Sequence, residues 1–508
     1  MKTTKAIFRI ATFTFTLTGR IFTSSLGPLL FLLLILPIWG AQAAVVFTTL
    51  SSFTGTNDGA GPNGLVQGSD GNFYGTTQYG GTFGWGTVFK ISTNGALTSL
   101  YSFGSVQDTN GTPLDGGLPM AGMVQGSDGN FYGTAYWGGT YTNGTVFKIS
   151  PSGTLTSLHS FTGGSDGANP FAGLVQGSDG YFYGTTYGGG IGYGTVFKIS
   201  TNGALAALYA FGTILDVWGW PLDGYNPNGL VQGSDGNFYG TTECGGTNQP
   251  GHSDGTVFKI SPNGAYTSLY SFGSVQDGLA GEWPMAGLVQ GSDGYFYGTT
   301  HSGGIRYGTV FKISTNGALT GLYSFTGFSD GAYPSAGLVQ GSDGNFYGTT
   351  EFNWLCPCGL CCPSRYFGDG TVFKISPNGA YTSLYSFGSV QDTNGLALDG
   401  SNPRAALVQG RDGSFYGTTS GGGTYTNGTV FRLTIVPQPQ LTLIPSWPYV
   451  ILTWPTNYAG FTLQSTPDLG SSAVWSANSS PPVVIGGENV VINTISGTQM
   501  FFRLQLAQ

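Results

Sequence analysis

Between residues 45 and 435 the chain alternates short apolar runs with polar or glycine-rich breaks. Residues 64–103 show the arrangement once. The run Gly-Leu-Val-Gln at 64–67 is followed by the turn Ser69-Asp70-Gly71-Asn72 and by Phe-Tyr-Gly-Thr-Thr at 73–77. A Gly-rich loop leads to Gly-Thr-Val-Phe-Lys-Ile at 86–91, and the turn Thr93-Asn94-Gly95 leads to a last run at 97–103. Aromatic and β-branched residues suit a pleated, half-buried surface, and Asp-Gly or Asn-Gly between such runs supplies the positive φ of a tight hairpin. The pattern predicts four antiparallel strands, a to d, with a–b and c–d hairpins. After residue 44 no stretch carries the 3.6-residue period of an amphipathic helix.

The unit repeats. Its core, Q-G-x-D-G-x-F-Y-G, begins at Gln67, Gln125, Gln176, Gln232, Gln290, Gln340 and Gln409. A fixed period of roughly 50–60 residues marks a propeller or a solenoid. Strands a to c occur seven times, and so does strand d, but out of phase. Residues 47–53 precede the first strand a, and the last unit stops after 430–433. A strand borrowed from the N-terminus closes a ring and removes an open edge, a device a solenoid does not need. The expected fold is all-β: a seven-bladed β-propeller at 44–435, closed by an N-terminal strand and followed by a small C-terminal β-sandwich-like module. Residues 436–440 (Val-Pro-Gln-Pro-Gln) read as a stiff linker. The module at 441–508 has expected strands at 449–454, 461–464, 473–475, 490–492 and 501–504. Strand c carries a cation in each unit, from Lys90 to Arg432. Lys90 is expected to pair with Asp70, and its equivalents likewise.

Composition and charge add an address. Lys2, Lys5, Arg9 and Arg20 precede an apolar run at 28–39 and the small-residue site Ala41-Gln42-Ala43. Residues 1–43 read as a secretory signal peptide, because the apolar run is shorter than the roughly 20 residues of a spanning helix. No later segment is long and apolar enough to span. Removing the leader takes four basic residues and no acidic one, which moves the net charge from −8 to −12. A phosphate backbone is repelled by such a chain, so nucleic acid is excluded as a partner. The expected protein is secreted or at the cell surface, monomeric, and free of a membrane span once mature. Its ligand is expected to be an extracellular or envelope glycan or protein.

Variation among the seven copies falls in the d–a and b–c connections, which share one face of a propeller, and loops on rigid scaffolds carry function. Three features of that face are candidates. Each d–a loop holds Asp-Gly before a proline: Asp58, Asp115, Asp166, Asp223, Asp277, Asp330 and Asp399. A ring of carboxylates suits calcium, a hard cation with oxygen ligands, and no other cofactor is expected; an Asx-turn before a proline-stiffened strand entry explains the same residues. The residue after strand b changes from copy to copy: Gln78, Tyr136, Tyr187, Glu243, His301, Glu351, Ser420. Glu243, His301 and Glu351 on three successive units could bind a ligand or metal or share acid–base work, or be solvated loop residues. The b–c loop of the sixth unit carries Cys356, Cys358, Cys361 and Cys362, disulfide candidates in an exported chain, with zinc as the alternative and Cys244 as the odd thiol. Loop tryptophans, Trp137, Trp218, Trp283 and Trp354 among them, suit stacking on sugars or packing of the scaffold. His159 stands where other units have Tyr and reads as a packing substitute. No Ser-His-Asp order, phosphate loop or dinucleotide fingerprint is present.

The phrase G-L-V-Q-G-S-D-G-N-F-Y-G-T-T followed by G-T-V-F-K-I-S resembles the bacterial choice-of-anchor tandem repeat GloVer family across residues 45–435. D-G-N-F-Y is also similar to the D-x-x-G-N-I-Y of NHL-type propellers. The resemblance implies exported, surface-associated proteins with varied C-terminal anchors and no catalytic residues to carry over. No hydrophobic anchor ends this chain, and residues 441–508 look like the β modules common at the ends of such proteins. The expectation is a non-catalytic binding scaffold, with an extracellular hydrolase or lyase working at the channel mouth, or a structural envelope protein, as the alternatives.

Overall fold

The structure is a computed structural model of the whole chain. It describes residues 44–247, 254–273, 281–354, 367–436, 439–446, 449–457, 460–467, 474–477, 481–494 and 500–506. The expected signal peptide, Asp277, the four clustered cysteines and His252 lie outside the described residues. Among those described every regular element is a β-strand, and no helix is long and apolar enough to cross a membrane.

The first repeat forms a sheet of strands a (Ala60–Gln67), b (Phe73–Tyr79), c (Thr87–Ile91) and d (Leu97–Ser102), antiparallel and in that order. The next five repeats build the same sheet; the fourth adds a short strand, Tyr225–Pro227. In the seventh, Val408–Gln409, Phe415–Thr419 and Thr429–Val436 are completed by Ala44–Ser52. The N-terminal strand therefore supplies strand d of the last sheet, as the phase of the repeats predicts.

The repeated motif is consumed in joining one sheet to the next. Side chains alternate along a strand, so the adjacent Phe and Tyr of strand b point to opposite faces. Tyr74 stacks on Phe131 of the second sheet at 4.0 Å between ring centroids, and Phe73 stacks on Tyr416 of the seventh at 4.1 Å. Equivalent pairs join every other neighbouring couple. The glutamine forms a second clasp. Gln125 Oε1 accepts from the Ser69 amide at 2.9 Å, and Gln67 Oε1 accepts from the Arg411 amide at 3.0 Å. The sheets thus make a closed cycle of contacts. Asp70 accepts from the Tyr74 hydroxyl and the Asn72 amide, which ties the a–b turn to the stacked ring. Gly75 is the space over which the Phe89 ring lies: a Cβ there would sit 2.6 Å from it.

The core follows the same logic. Each described cluster of buried side chains in this unit straddles a sheet boundary, as in Tyr74, Val88 and Phe103 with Phe131, Phe147 and Ile149. The boundary between last and first sheets is filled alike by Phe53, Tyr416 and Val430 with Phe73, Phe89 and Ile91.

The expected ion pairs between strand c and the a–b turn are not made. Lys90 lies opposite Tyr74 in the ladder, and Asp70 is already occupied by Asn72 and Tyr74. Burial works to raise the Asp70 pKa; these hydrogen bonds and the more distant charge of Lys90 outweigh it and leave it lowered. Two lysines reach elsewhere: Lys198 and Lys312 bond the carbonyls of Pro262 and Pro377 and lie over the rings of Tyr181 and Tyr295.

The described residues divide into two compact units, one of residues 48–433, the other drawing on 434–508 and the start of the N-terminal strand. The second has two sheets. Thr442–Ser446, Tyr449–Pro455, Glu488–Thr494 and Val483–Ile485 form one; Ser476–Ala477, Phe461–Thr466 and Phe501–Leu506 form the other. Val450, Leu452, Trp454 and Val491 share a buried cluster with Leu463 of the opposite sheet. Of the strand expected at 473–475, residue 473 lies outside the described residues and 474–475 are not in a strand; the strand here is Ser476–Ala477, and Val474 is exposed. Val483–Ile485 was missed although it turns into the next strand through Gly486-Gly487, both at positive φ.

One sheet departs from its siblings. In six of the seven, the fifth residue of strand b is a threonine that shares a hydrogen bond of 2.8–2.9 Å with the first threonine of strand c. The second sheet has Ala135 instead, and the buried Thr145 Oγ1 has no partner. Ala135→Thr is expected to stabilise the protein by about 1 kcal/mol. Thermal unfolding reads this directly, and a lowered midpoint would mean that the site lacks room for the hydroxyl.

Candidate functional site

Every d–a connection ends by passing through a proline into the next sheet, and the residue before that proline is left-handed. Leu118, Asn169, Asn226, Trp283, Tyr333 and Asn402 have φ from 52° to 59°, and Gly61 takes the same place in the first sheet. This conformation costs an L-residue about 1–2 kcal/mol, and a following proline ordinarily favours extended backbone. Two main-chain bonds hold it. The Tyr333 amide donates to Tyr307 O in the preceding sheet's b–c loop, and Tyr333 O accepts from the Glu351 amide at the end of strand b. Trp283, between Asp254 and His301, is held the same way. Each sheet therefore presents two neighbouring variable side chains at one end: the left-handed residue and the residue expected after strand b, which in the first and fourth sheets (Gln78, Glu243) lies within a longer strand b.

Chemistry gathers there in two groups. In the second to fourth sheets Phe171 packs between Tyr136 and Tyr187, at 6.3 and 6.1 Å between centroids, with Phe171 and Tyr187 exposed. The Tyr187 hydroxyl lies beside the Glu243 carboxylate. Burial raises the Glu243 pKa, and the neighbouring hydroxyl offsets this only in part. In the fifth to seventh sheets the buried Glu351 carboxylate accepts from Arg404 Nε at 2.7 Å, from Arg404 Nη2, and from Ser335 Oγ at 3.1 Å. His301 stacks on Tyr333 at 4.8 Å. Burial lowers the His301 pKa; the Glu351 charge works against this and the Arg404 charge with it. His301 and Glu351 are thus brought into one electrostatic neighbourhood, and Glu243 belongs to another. Phe171, Ser335 and Arg404 escaped sequence reading. Their signal is position: each directly follows the proline of its d–a loop.

The d–a aspartates face back into their own loops. Asp115 accepts from the Tyr101 hydroxyl and the amides of Gly104 and Ser105, and Asp223 and Asp399 repeat the pattern. Asp58, Asp166 and Asp330 bond the amide and hydroxyl of a threonine four residues earlier. Where other sheets offer Asp a tyrosine hydroxyl, His159 offers Nε2 to Asp166 at 3.0 Å. Among the described residues no three His, Cys, Asp or Glu side chains converge as a metal site. The tryptophans separate. Trp137 is half-buried and stacked on Trp85 at 4.8 Å; Trp283 is exposed at its left-handed position; Trp218 is exposed at the tip of a d–a loop. Trp354 pairs through its backbone with Phe367. Cys244 ends strand b of the fourth sheet, half-buried.

The chain belongs to the Gloeobacter/Verrucomicrobia repeat family, which matches residues 41–219 and again 219–397. No curated protein matches it. Among solved structures it is similar to a putative gluconolactonase, at 10% identity and a TM-score of 0.36, covering 77% of this chain and 91% of that one. It is similar to a puromycin hydrolase S511A mutant complexed with PGG, at 11% identity and a TM-score of 0.45, covering 78% of this chain. The match spans 59% of the hydrolase chain. A Penicillium chrysogenum alpha-L-arabinanase complexed with arabinobiose gives 11% identity and a TM-score of 0.36, covering 74% and 93%.

Two titrations follow from the geometry. A carboxyl whose pKa is raised by folding binds protons more readily folded than unfolded, so its stability cost appears as pH rises through the window above the ordinary Glu value. Glu243→Gln should therefore raise the thermal midpoint at pH 7–8, and the gain should vanish near pH 4; a gain independent of pH would remove burial as the cause. For His301, Arg404→Gln takes away a repelling cation and leaves Glu351. Its imidazole pKa, followed by NMR, should rise toward the ordinary histidine value; an unchanged pKa would mean that Arg404 does not act on the ring.

Proposed function

We propose that residues 44–435 are a seven-bladed β-propeller locked by its N-terminal strand, exported from the cell, and that the protein is a non-catalytic binding scaffold. The ligand sits on the face formed by the d–a and b–c loops, and a neutral glycan is the class its chemistry fits best. The observation that supports this is the division of labour within the repeat. The motif side chains are spent on holding sheets together, whereas the left-handed position and the position after the strand-b threonine together carry a different pair of side chains in every sheet. Tyr187 at one such position and Phe171, one residue past the proline, present exposed rings beside the Glu243 carboxylate, an apolar platform with a hydrogen-bond acceptor at its edge. Sugar rings are recognised in this way, by stacking on an aromatic face with polar groups fixing orientation. The C-terminal unit is the part we assign to attachment at the cell envelope.

A second reading, a hydrolase or lyase at the same mouth, draws on the raised carboxyl of Glu243 and the depressed imidazole of His301, the kind of perturbation acid–base sites use. One experiment separates the two. The chain without residues 1–43 is incubated with a panel of neutral polysaccharides, and retention and product masses are followed together. Retention without products, weakened about tenfold by Phe171→Ala or Tyr187→Ala, is expected for a stacking platform. New product masses abolished by Glu243→Gln or His301→Gln would overturn the binding-only reading, and absence of both retention and products would remove the glycan.

A further inference from the structure

Three d–a connections share one backbone and differ at the tip. Residues 105–113, 213–221 and 389–397 each form a small hairpin closed by a bridge: Gln107 to Pro113, Leu215 to Pro221, Gln391 to Ala397. In each, an aspartate at the fourth position caps the turn. Asp216 Oδ1 accepts from the amides of Trp218 and Trp220 at 2.8 Å, as Asp108 and Asp392 do from their equivalents. The main-chain bonds Asp216 N to Trp220 O, Gly219 N to Asp216 O and Leu222 N to Ile214 O recur in all three. The first hairpin has Thr109, Asn110 and Thr112 at its tip; the second has Val217, Trp218 and Trp220. Val217 is 92% exposed, Trp218 73% and Trp220 47%, and Ile214 and Leu215 extend the same exposed surface. Because the polar tip folds identically, nothing in the loop's own structure requires the apolar one.

What the tip fits follows from three observations. Its apolar surface is as much aliphatic as aromatic. The Thr213 hydroxyl is engaged with Asp223, and the tip itself offers no hydroxyl or amide side chain to read a sugar. The amides of Asp216, Trp218, Gly219 and Trp220 are bonded within the hairpin, which lowers the cost of taking this backbone out of water. No cation lies in residues 213–221 and the chain is net acidic, which disfavours an anionic surface. We propose that hairpin 213–221 is a wedge that partitions into an uncharged lipid surface, with Val217, Ile214 and Leu215 in the acyl boundary and the two indoles at the headgroup level, where amphipathic rings settle. This site is separate from the Phe171–Tyr187 platform.

The test uses the chain without residues 1–43, whose apolar run would itself partition, and vesicles of phosphatidylcholine, plain or brominated on the acyl chains. Co-sedimentation and quenching of tryptophan emission by the brominated lipid are expected. The triple variant Val217→Thr, Trp218→Asn, Trp220→Thr copies the tip of residues 105–113, so its hairpin keeps a backbone the protein already uses. It should lower partition about tenfold or more and abolish the quenching. The proposal is overturned if the unaltered chain stays in the supernatant, or if the variant sediments equally. It is overturned as well if the variant instead loses retention on a neutral polysaccharide, or loses self-association, with vesicle binding absent. Phe171→Ala leaves the hairpin untouched and should bind vesicles normally, so failure of the glycan reading and failure of this one are distinguishable.

Discussion

A stacked Tyr–Phe pair, centroids 3.8–4.1 Å apart, stands at every boundary between neighbouring sheets, and the remainder of the larger unit depends on it. Both rings of a sheet come from adjacent positions of one strand, so each strand b is packed on both faces and has no solvent side. That explains a five-residue strand buried from end to end in a protein so rich in glycine. It also fixes the spacing of the sheets, because a ring pair that must stack leaves little freedom in the distance or tilt of the next sheet. The glutamine clasp and the Asp–Tyr hydrogen bond then hold the turn in register with the ring.

Much of this was legible in the sequence, and for a physical reason. Strand order, the Asp-Gly and Asn-Gly hairpins and the borrowed N-terminal strand all follow from local patterns repeated in phase. Three kinds of feature did not follow. The lysines of strand c were assigned to the nearest carboxylate, but a charged partner loses to two short neutral donors, Tyr74 and Asn72, that the turn already positions. The left-handed residue before each proline breaks the usual preference of that position, and only the cross-sheet hydrogen bonds explain it. Arg404 reaches Glu351 across a gap of 53 residues, a distance that no local pattern encodes. In the smaller unit the strands Thr442–Ser446 and Val483–Ile485 were hidden by nearby prolines.

The candidate site draws its character from that strained position. A scaffold that fixes two variable side chains per sheet at a defined place, by backbone bonds alone, makes the identity of those side chains nearly irrelevant to the fold. Leu118, Trp283 and Tyr333 occupy one conformation that glycine or asparagine would adopt more cheaply. Large side chains kept there despite the strain are the pattern expected where surface chemistry, rather than packing, decides the residue.

Closure by the N-terminal strand has a consequence in time. Ala44–Ser52 precedes the rest of the larger unit and finds its partner, Thr429–Val436, only when nearly all of that unit exists; the bonds that seal the junction include ones between residues 344 and 372 apart. During synthesis the opening strand must wait unpaired, and the first sheet must hold with one ring face uncovered. Contacts so remote slow the final step of folding and leave an exposed edge until it is complete. On the export route proposed above the delay is an advantage, since a ring that cannot shut before its last strand arrives remains threadable until then.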